Sequence, residues 1–309
     1  MNTKTNTKEK KVIGIFGEVL ADIFPDKTVL GGAPFNVARH LQAFGLRPVL
    51  ISRVGQDALH DELLQEMHRL EMDVSGLQTD ATYPTGQVKV LLTEDGNHQF
   101  DILQDQAYDH IQASAVQQVT KVLKPNLVYF GTLAQRNIAS RLALDAFLNS
   151  VECPRFLDVN LRAPFYTEHT IRRSLMLSDI VKLNEEELQI VANYFNVDAL
   201  SPHEKARQLL KEFNIKQVIV TAGANGAWMA TSDGILKSDI QTTLKDSLVD
   251  TVGAGDAFSA VCILGHGLDW NHVTTLNRAN QFASAICSIR GGAPAGTGFY
   301  SPFILEWKL

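Results

Sequence analysis

From Leu127 onward the chain repeats one pattern: a short apolar run, then a longer segment with apolar residues at helical spacing. The spacing predicts strands at Leu127 to Phe130, Phe156 to Val159, Ile180 to Leu183 and Val218 to Val220. Helices are predicted at Asn137 to Leu148, Thr167 to Leu177 and Glu185 to Phe195 between them. Strands that are apolar throughout and joined by helical crossovers pair in parallel, with helices covering both faces. The expected fold class is therefore α/β. Val12 to Phe16 reads as a further buried strand, and Glu18 and Asp22 after Gly17 place polar groups at its C-terminal end, where open α/β sheets bind ligands. Val49 to Val54 reads as another, followed by a helix carrying Leu59, Leu63, Met67 and Leu70 with Asp57 as its cap. Ser201-Pro202-His203-Glu204 has the spacing of a capping box, ahead of a buried face of Ala206, Leu209, Leu210 and Phe213.

Between Thr85 and Phe100 the pattern changes. Two extended runs, Gln87 to Thr93 and His98 to Ile102, are joined by Glu94-Asp95-Gly96-Asn97, which suits a hairpin. With part of Val19 to Leu30 it makes a small sheet apart from the main one. No repeat, low-complexity tract or linker interrupts the chain, so residues 11–309 are expected to form one domain, with insertions at 19–32 and 85–104 building the small sheet. Residues 1–10 are polar and are expected to be a flexible tail.

Composition narrows the function classes. The chain of 309 residues is 45% hydrophobic, enough for a sizeable core. Its net charge of −6 and the lack of a basic cluster beyond the N-terminus argue against a nucleic-acid surface. No apolar run approaches a membrane span. Cys153, Cys262 and Cys287 show no CxxC spacing, which points to reduced thiols in a cytoplasm and away from a zinc site.

Two stretches carry chemistry. In Asp250-Thr251-Val252-Gly253-Ala254-Gly255-Asp256, small residues let backbone approach a ligand at the start of an apolar helix that includes Phe258, Val261, Cys262 and Leu264. A helix N-terminus presents unpaired N–H groups and partial positive charge to an anion, and Asp256 stands beside it as a base. The bland alternative is that Asp250 and Asp256 only cap the helix. In Gly31-Gly32-Ala33-Pro34-Phe35-Asn36, the glycines let main chain pack against a polyol, and Asn36 can donate and accept hydrogen bonds. Val37, Leu41 and Phe44 continue that segment at helical spacing, Pro34 fits its first position and Gly45 its C-terminal cap.

The first stretch resembles the C-terminal signature of the ribokinase-like (PfkB) carbohydrate kinases. The second, GGAPxNVAxxLxxxG, resembles the first signature of that family in its fructokinase-like spelling. The resemblance covers the chain after the tail and implies a ribokinase-like three-layer core with a mainly parallel central sheet and a small β-sheet lid. It implies transfer of the γ-phosphate of ATP to a primary hydroxyl of a sugar, with fructose expected, in the presence of Mg2+. Asp256 would be the catalytic base, and the N–H groups of Gly253, Ala254 and Gly255 the phosphate cradle. On the sugar side the resemblance nominates Asp22, Gly31, Gly32, Asn36 and Thr132. Lys182-Leu183-Asn184-Glu185-Glu186-Glu187 resembles the family's NxxE element, which puts Asn184 and Glu187 near phosphates and hydrated magnesium. Thr221, Gly223 and Gly226 match its nucleotide-side turn, and Asn280 a position beside adenine.

Asp158-Val159-Asn160-Leu161-Arg162 resembles the DxNxR of fructokinases and 2-keto-3-deoxygluconate kinases. Alternation would put Asp158, Asn160 and Arg162 on one face, with Arg162 free to address a phosphate or carboxylate, or else paired with Asp for structure. Asp250, Val252, Cys287, Arg290, Gly292 and Gly296 resemble the loop that holds a monovalent cation in many relatives, which implies K+. A Gly-rich loop also explains itself without an ion. Edge strands of such a lid offer a surface for a homodimer. One departure bears on the sugar: Leu103-Gln104-Asp105-Gln106-Ala107-Tyr108-Asp109 lacks the Arg that fructokinase-like relatives carry there. The rivals are a 2-keto-3-deoxygluconate kinase, a ribokinase or nucleoside kinase, and a non-catalytic sugar- or nucleotide-binding protein. A dinucleotide-dependent oxidoreductase is disfavoured because no GxGxxG follows the first strand.

Overall fold

The computed structural model describes residues 10–92, 98–196, 201–239 and 248–309; the expected tail, up to residue 9, and the hairpin turn at 94–97 lie outside the described residues. Along the chain the strands are β1 (Val12–Phe16), β2 (Leu20–Ile23), β3 (Thr28–Gly31), β4 (Arg47–Gly55), β5 (Leu77–Asp80), β6 (Gly86–Leu92) and β7 (His98–Ile102). They continue as β8 (Leu127–Phe130), β9 (Arg155–Asp158), β10 (Ile180–Asn184), β11 (Gln217–Thr221), β12 (Ala227–Thr231) and β13 (Gly234–Lys237). The helices are α1 (Ala33–Ala43), α2 (Ala58–Arg69), α3 (Ala113–Thr120), α4 (Ile138–Asn149), α5 (Glu168–Met176), α6 (Glu185–Tyr194), α7 (Pro202–Phe213), α8 (Ala254–Gly267), α9 (His272–Ile286) and α10 (Ser301–Trp307).

A nine-stranded sheet runs in the order β13-β12-β11-β10-β9-β8-β1-β4-β5. It is parallel from β11 to β5 and ends in the antiparallel strands β12 and β13. Alternation along each strand sorts side chains onto two faces. Val128, Phe130, Leu157, Val181 and Leu183 meet Leu144 and Phe147 of α4, Leu175 of α5 and Leu209 of α7. Leu127, Tyr129, Phe156 and Ile180 face the other way, toward Leu41 of α1, Met67 of α2, Val261 of α8 and Phe282 of α9. The expected parallel α/β core is thus a three-layer one. The second sheet, β3-β2-β6-β7, contains the expected hairpin strands and is mixed, because β2 and β6 run parallel.

Helix starts follow their caps. Asp57 caps α2 as expected, accepting from the His60 N–H at 3.0 Å, and also accepts from the N–H and hydroxyl of Thr85 at 2.8 and 2.7 Å. One carboxylate therefore fixes α2 and the entry to β6 together. We expect Asp57→Ala to destabilise the fold by about 1–2 kcal/mol, read as a lower urea midpoint at unchanged slope. The Ser201–Glu204 capping box is present at α7. Gly45, at φ 86°, follows the end of α1 as a left-handed cap, while Pro34 takes the second helical position rather than the first.

Candidate active site

Asp256 lies in the first turn of α8, which starts after Gly253 at φ 78° and makes no side-chain cap. Its carboxylate does not serve its own helix. Oδ2 instead accepts from Nδ2 of Asn36, at 2.9 Å, across 220 positions of sequence. That bond joins the two stretches singled out in the sequence and removes the capping-only reading of Asp256. Burial pushes the Asp256 carboxyl up to about 6, against the Asn36 bond that holds it down. Asp250 works differently: Oδ1 accepts from the Val252 N–H at 3.0 Å and Oδ2 from the Gly291 N–H at 3.1 Å, so it ties the turn to the Gly-rich loop. The Ala254 N–H turns to the Thr251 carbonyl at 3.3 Å.

Helix α1 carries the loop opposite this turn. A Cβ on Gly253 would lie 2.3 Å from the Gly292 Cα, so turn and loop are in backbone contact. His40, wholly buried, has Nε2 at 3.2 Å from the Gly292 carbonyl and Nδ1 at 2.9 Å from the Tyr300 hydroxyl. Burial holds this ring neutral, with its pKa down at about 3. A carbonyl only accepts, so Nε2–H donates to Gly292 and Nδ1 accepts from Tyr300. Arg39 adds a bond to the Pro294 carbonyl at 3.3 Å. Asn36, Arg39 and His40 thus hold the Asp256 carboxylate and the loop from one helix. Only Asn36 was visible in the sequence as a site residue.

Two further carboxylates, Glu18 after β1 and Asp22 in β2, share this region with Asp256. Burial pushes Asp22 up to about 6 and Glu18 to about 7, and both feel the charges of Arg162 and Asp256. Glu18 is 5% exposed, and its Oε2 has no hydrogen-bond partner among the described residues. The sequence reading noted it without giving it a role. Gly31 and Gly32 stand in this group: a Cβ on Gly32 would meet the Glu18 carbonyl at 2.9 Å, and one on Gly31 would lie 3.5 Å from Asp22 Oδ2. Gly32 also has φ 102°. Arg162 is exposed, and its Nη1 contacts only the neighbouring Leu161 carbonyl, at 3.1 Å, among the bonds described.

Alternation across 158–162 fails, because β9 ends at Asp158 and Asn160 turns into the left-handed region at φ 40°. Asp158 is consequently buried and pairs with Lys182, not with Arg162. Thr132 is buried as well, and its hydroxyl donates to the Val159 carbonyl at 2.8 Å, joining the ends of β8 and β9. The segment that lacks the expected Arg receives a guanidinium from elsewhere. Arg136 makes two 2.7 Å bonds to Asp109 and stacks over Phe165.

At the start of α6, Asn184 and Glu187 form a reciprocal capping box, at 2.8 and 2.9 Å, and Glu187 also accepts from the Leu161 N–H at 2.7 Å. The pair therefore also starts α6, whose first turn carries Glu185 and Glu186 as well. Thr221 ends β11, and Gly223 and Gly226 take φ 55° and 80° in the turn that follows. Asn280 Nδ2 lies 2.6 Å from Ser238 Oγ, which in turn bonds the Ala227 N–H and carbonyl next to Gly226. At the end of α9, ahead of the Gly-rich loop, the Cys287 carbonyl already accepts from the N–H groups of Val249 and Asp250.

A model of the pfkB family of carbohydrate kinases matches residues 7–295. The fructokinase of Vibrio alginolyticus is 26% identical over 300 residues, covering 91% of this chain and 94% of that protein. The structure of fructokinase from Vibrio cholerae O395 in its fructose-, ADP- and calcium-bound form matches with a TM-score of 0.78 at 25% identity, over 94% of this chain and 98% of that one. An uncharacterized sugar kinase from Pyrococcus horikoshii in complex with ATP matches with a TM-score of 0.75 at 25% identity, over 91% and 93%.

Proposed function

This chain belongs to the pfkB family of carbohydrate kinases, and on that premise we propose that its site transfers the γ-phosphate of ATP to a primary hydroxyl of a neutral sugar, with fructose as the acceptor. The observation that carries this reading is the Asn36–Asp256 bond, which holds a buried carboxylate at a glycine turn opening a helix. Asp256 takes the proton of the attacking hydroxyl, and Asn36 keeps it aimed. The N–H groups of Gly253 and Gly255 receive the phosphoryl oxygens, aided by the positive end of α8. Asp22, Asn36, Gly31 and Gly32 hold the sugar, and Arg162 faces the phosphate being transferred.

Charge separates a neutral acceptor from the sugar-acid rival. Glu18, Asp22 and Asp256 stand against Arg162, an unfavourable setting for a sugar acid and a suitable one for hydroxyl donors. A neutral ketose is therefore favoured over 2-keto-3-deoxygluconate. The fructokinase relatives support the same choice.

The nucleotide side follows the expectation, with Thr221, Gly223, Gly226 and Asn280 beside the nucleotide. The carboxylate of Glu187 and the amide oxygen of Asn184 are hard oxygen donors that fit magnesium through its waters. Bound magnesium neutralises phosphate charge. In the loop, Asp250, Val252, Arg290, Gly292 and Gly296 would surround K+, while the doubly bonded Cys287 carbonyl leaves that set. The small sheet acts as a lid, and Leu91 and Phe100, exposed on it, support a homodimer through that surface. The three free cysteines fit a cytoplasmic setting; no described helix is long and apolar enough to cross a membrane.

Coupled ADP release with ATP and magnesium tests the acceptor. We expect fructose to raise the rate at least about tenfold above 2-keto-3-deoxygluconate, ribose and adenosine, the discrimination that a poorly placed hydroxyl or unpaired polar group produces. A preference for the sugar acid would reject the charge argument. No acceptor response while sugar and ATP both bind would favour the non-catalytic reading.

A further inference from the structure

Asp158 and Lys182 face each other directly on the neighbouring strands β9 and β10. Their side chains are only 1% and 7% exposed, and Nζ lies 3.1 and 3.2 Å from the two carboxylate oxygens. The Ser259 hydroxyl donates to Asp158 Oδ2 at 2.7 Å, and the Tyr129 hydroxyl lies 3.5 Å from the same atom. Asp158 is therefore fully engaged, with Lys182 in a fixed place. A buried pair of this kind adds little stability that apolar residues could not supply, so its position is the informative part.

That position is behind the catalytic turn. A Cβ on Gly255 would lie 3.1 Å from Lys182 Nζ, so the ammonium rests against the backbone between Gly253 and Asp256. Ser259, one helical turn further along α8, ties the same helix to Asp158 and fixes the separation. Water does not screen a charge at this depth as it would at the surface. Glu187 and Asp256 are the other carboxylates that feel it.

We propose that Lys182 is an electrostatic support of the catalytic turn: its ammonium, set behind Gly255 by Asp158 and Ser259, stabilises the negative charge that collects on the transferring phosphoryl group. This rests on the reading of Gly253 to Asp256 as the phosphoryl-transfer turn. Lys182 acts through that backbone, and Asp158 is its positioning residue.

Removing Lys182 alone would leave Asp158 buried and uncompensated, so the test removes the pair together. The double variant Asp158→Asn/Lys182→Met is expected to melt near the parent and keep its acceptor KM, while kcat falls by about 100-fold. Lys182→Arg, which keeps the charge, should stay within about tenfold of the parent kcat, and Asp158→Asn/Lys182→Gln, which keeps a donor and an acceptor without the charges, should fall with the first double variant. A kcat within about threefold of the parent in the first double variant overturns the proposal. If that variant does not fold, a loss in Lys182→Arg equal to the loss in Asp158→Asn/Lys182→Gln overturns it. Asp256→Asn is the control: if it also kept turnover, the assignment of the turn would be at fault instead.

Discussion

Asp256→Asn is expected to lower kcat with fructose by about 100- to 10,000-fold, the range a positioned general base contributes. The amide keeps the size of the side chain and can still bond Asn36, so the fold and the cleft should survive. What is lost is the ability to accept a proton from the hydroxyl as it attacks. An interaction made only in the transition state lowers kcat without weakening binding, so Kd for sugar and for ATP should stay within about twofold. Isothermal titration and coupled ADP release on the same preparation separate the two quantities. Equal loss of binding and turnover would instead indicate a damaged cleft.

The same carboxylate is expected to set the acid limb of the pH profile. A buried base raised to about 6 works only above that value, so kcat/KM should fall as the pH drops through 6. Asn36→Leu removes the bond that favours the charged form, and the limb should then move upward.

Gly253→Ala is expected to be almost as damaging, through backbone geometry instead of proton transfer. At φ 78° an L side chain is strained, by about 1–2 kcal/mol. The new methyl would also stand 2.3 Å from the Gly292 Cα and 2.6 Å from its carbonyl oxygen, which are main-chain atoms held by His40 and cannot rotate away. Either the loop is pushed off or the turn tilts, and the Gly253 and Gly255 N–H groups lose their aim. Misplacing such donors costs about 100- to 1,000-fold in kcat. Gly298→Ala is the control a few residues further on: among the described residues nothing lies within 4 Å of its added methyl, and its backbone is outside the left-handed region. It should change stability by no more than about 0.5 kcal/mol. Parent-like turnover in Gly253→Ala would remove the turn from the mechanism.

How much of this could be read in the sequence depended on how local the signal was. The strands from β8 to β11 were legible because strands buried on both faces are apolar throughout, and their ends fell within a residue or two of expectation. The antiparallel edge strands β12 and β13 were not, since Ala227 to Lys237 carries a turn and no clean alternation. Asp256 and Asn36 were legible because glycine patterns mark them, although their bond across the molecule was not. Glu18 and His40 were missed as working residues because a single polar residue in an apolar context has no local signature. Lys182 and Asp158 are an instructive case. Both occupy the ends of consecutive predicted strands, and aligning those strands in parallel register would have placed them side by side. The expected shared face of Asp158, Asn160 and Arg162 failed because the strand ended sooner than its alternation was extended, and a left-handed Asn160 followed.

The most direct test is a phosphorus NMR time course of the protein with ATP, magnesium and fructose, run beside Asp256→Asn. The account predicts a phosphomonoester signal coupled to a methylene group, growing in step with ADP and nearly absent from the variant. Release of ADP with inorganic phosphate alone, or a phosphomonoester formed equally well by Asp256→Asn, would contradict it.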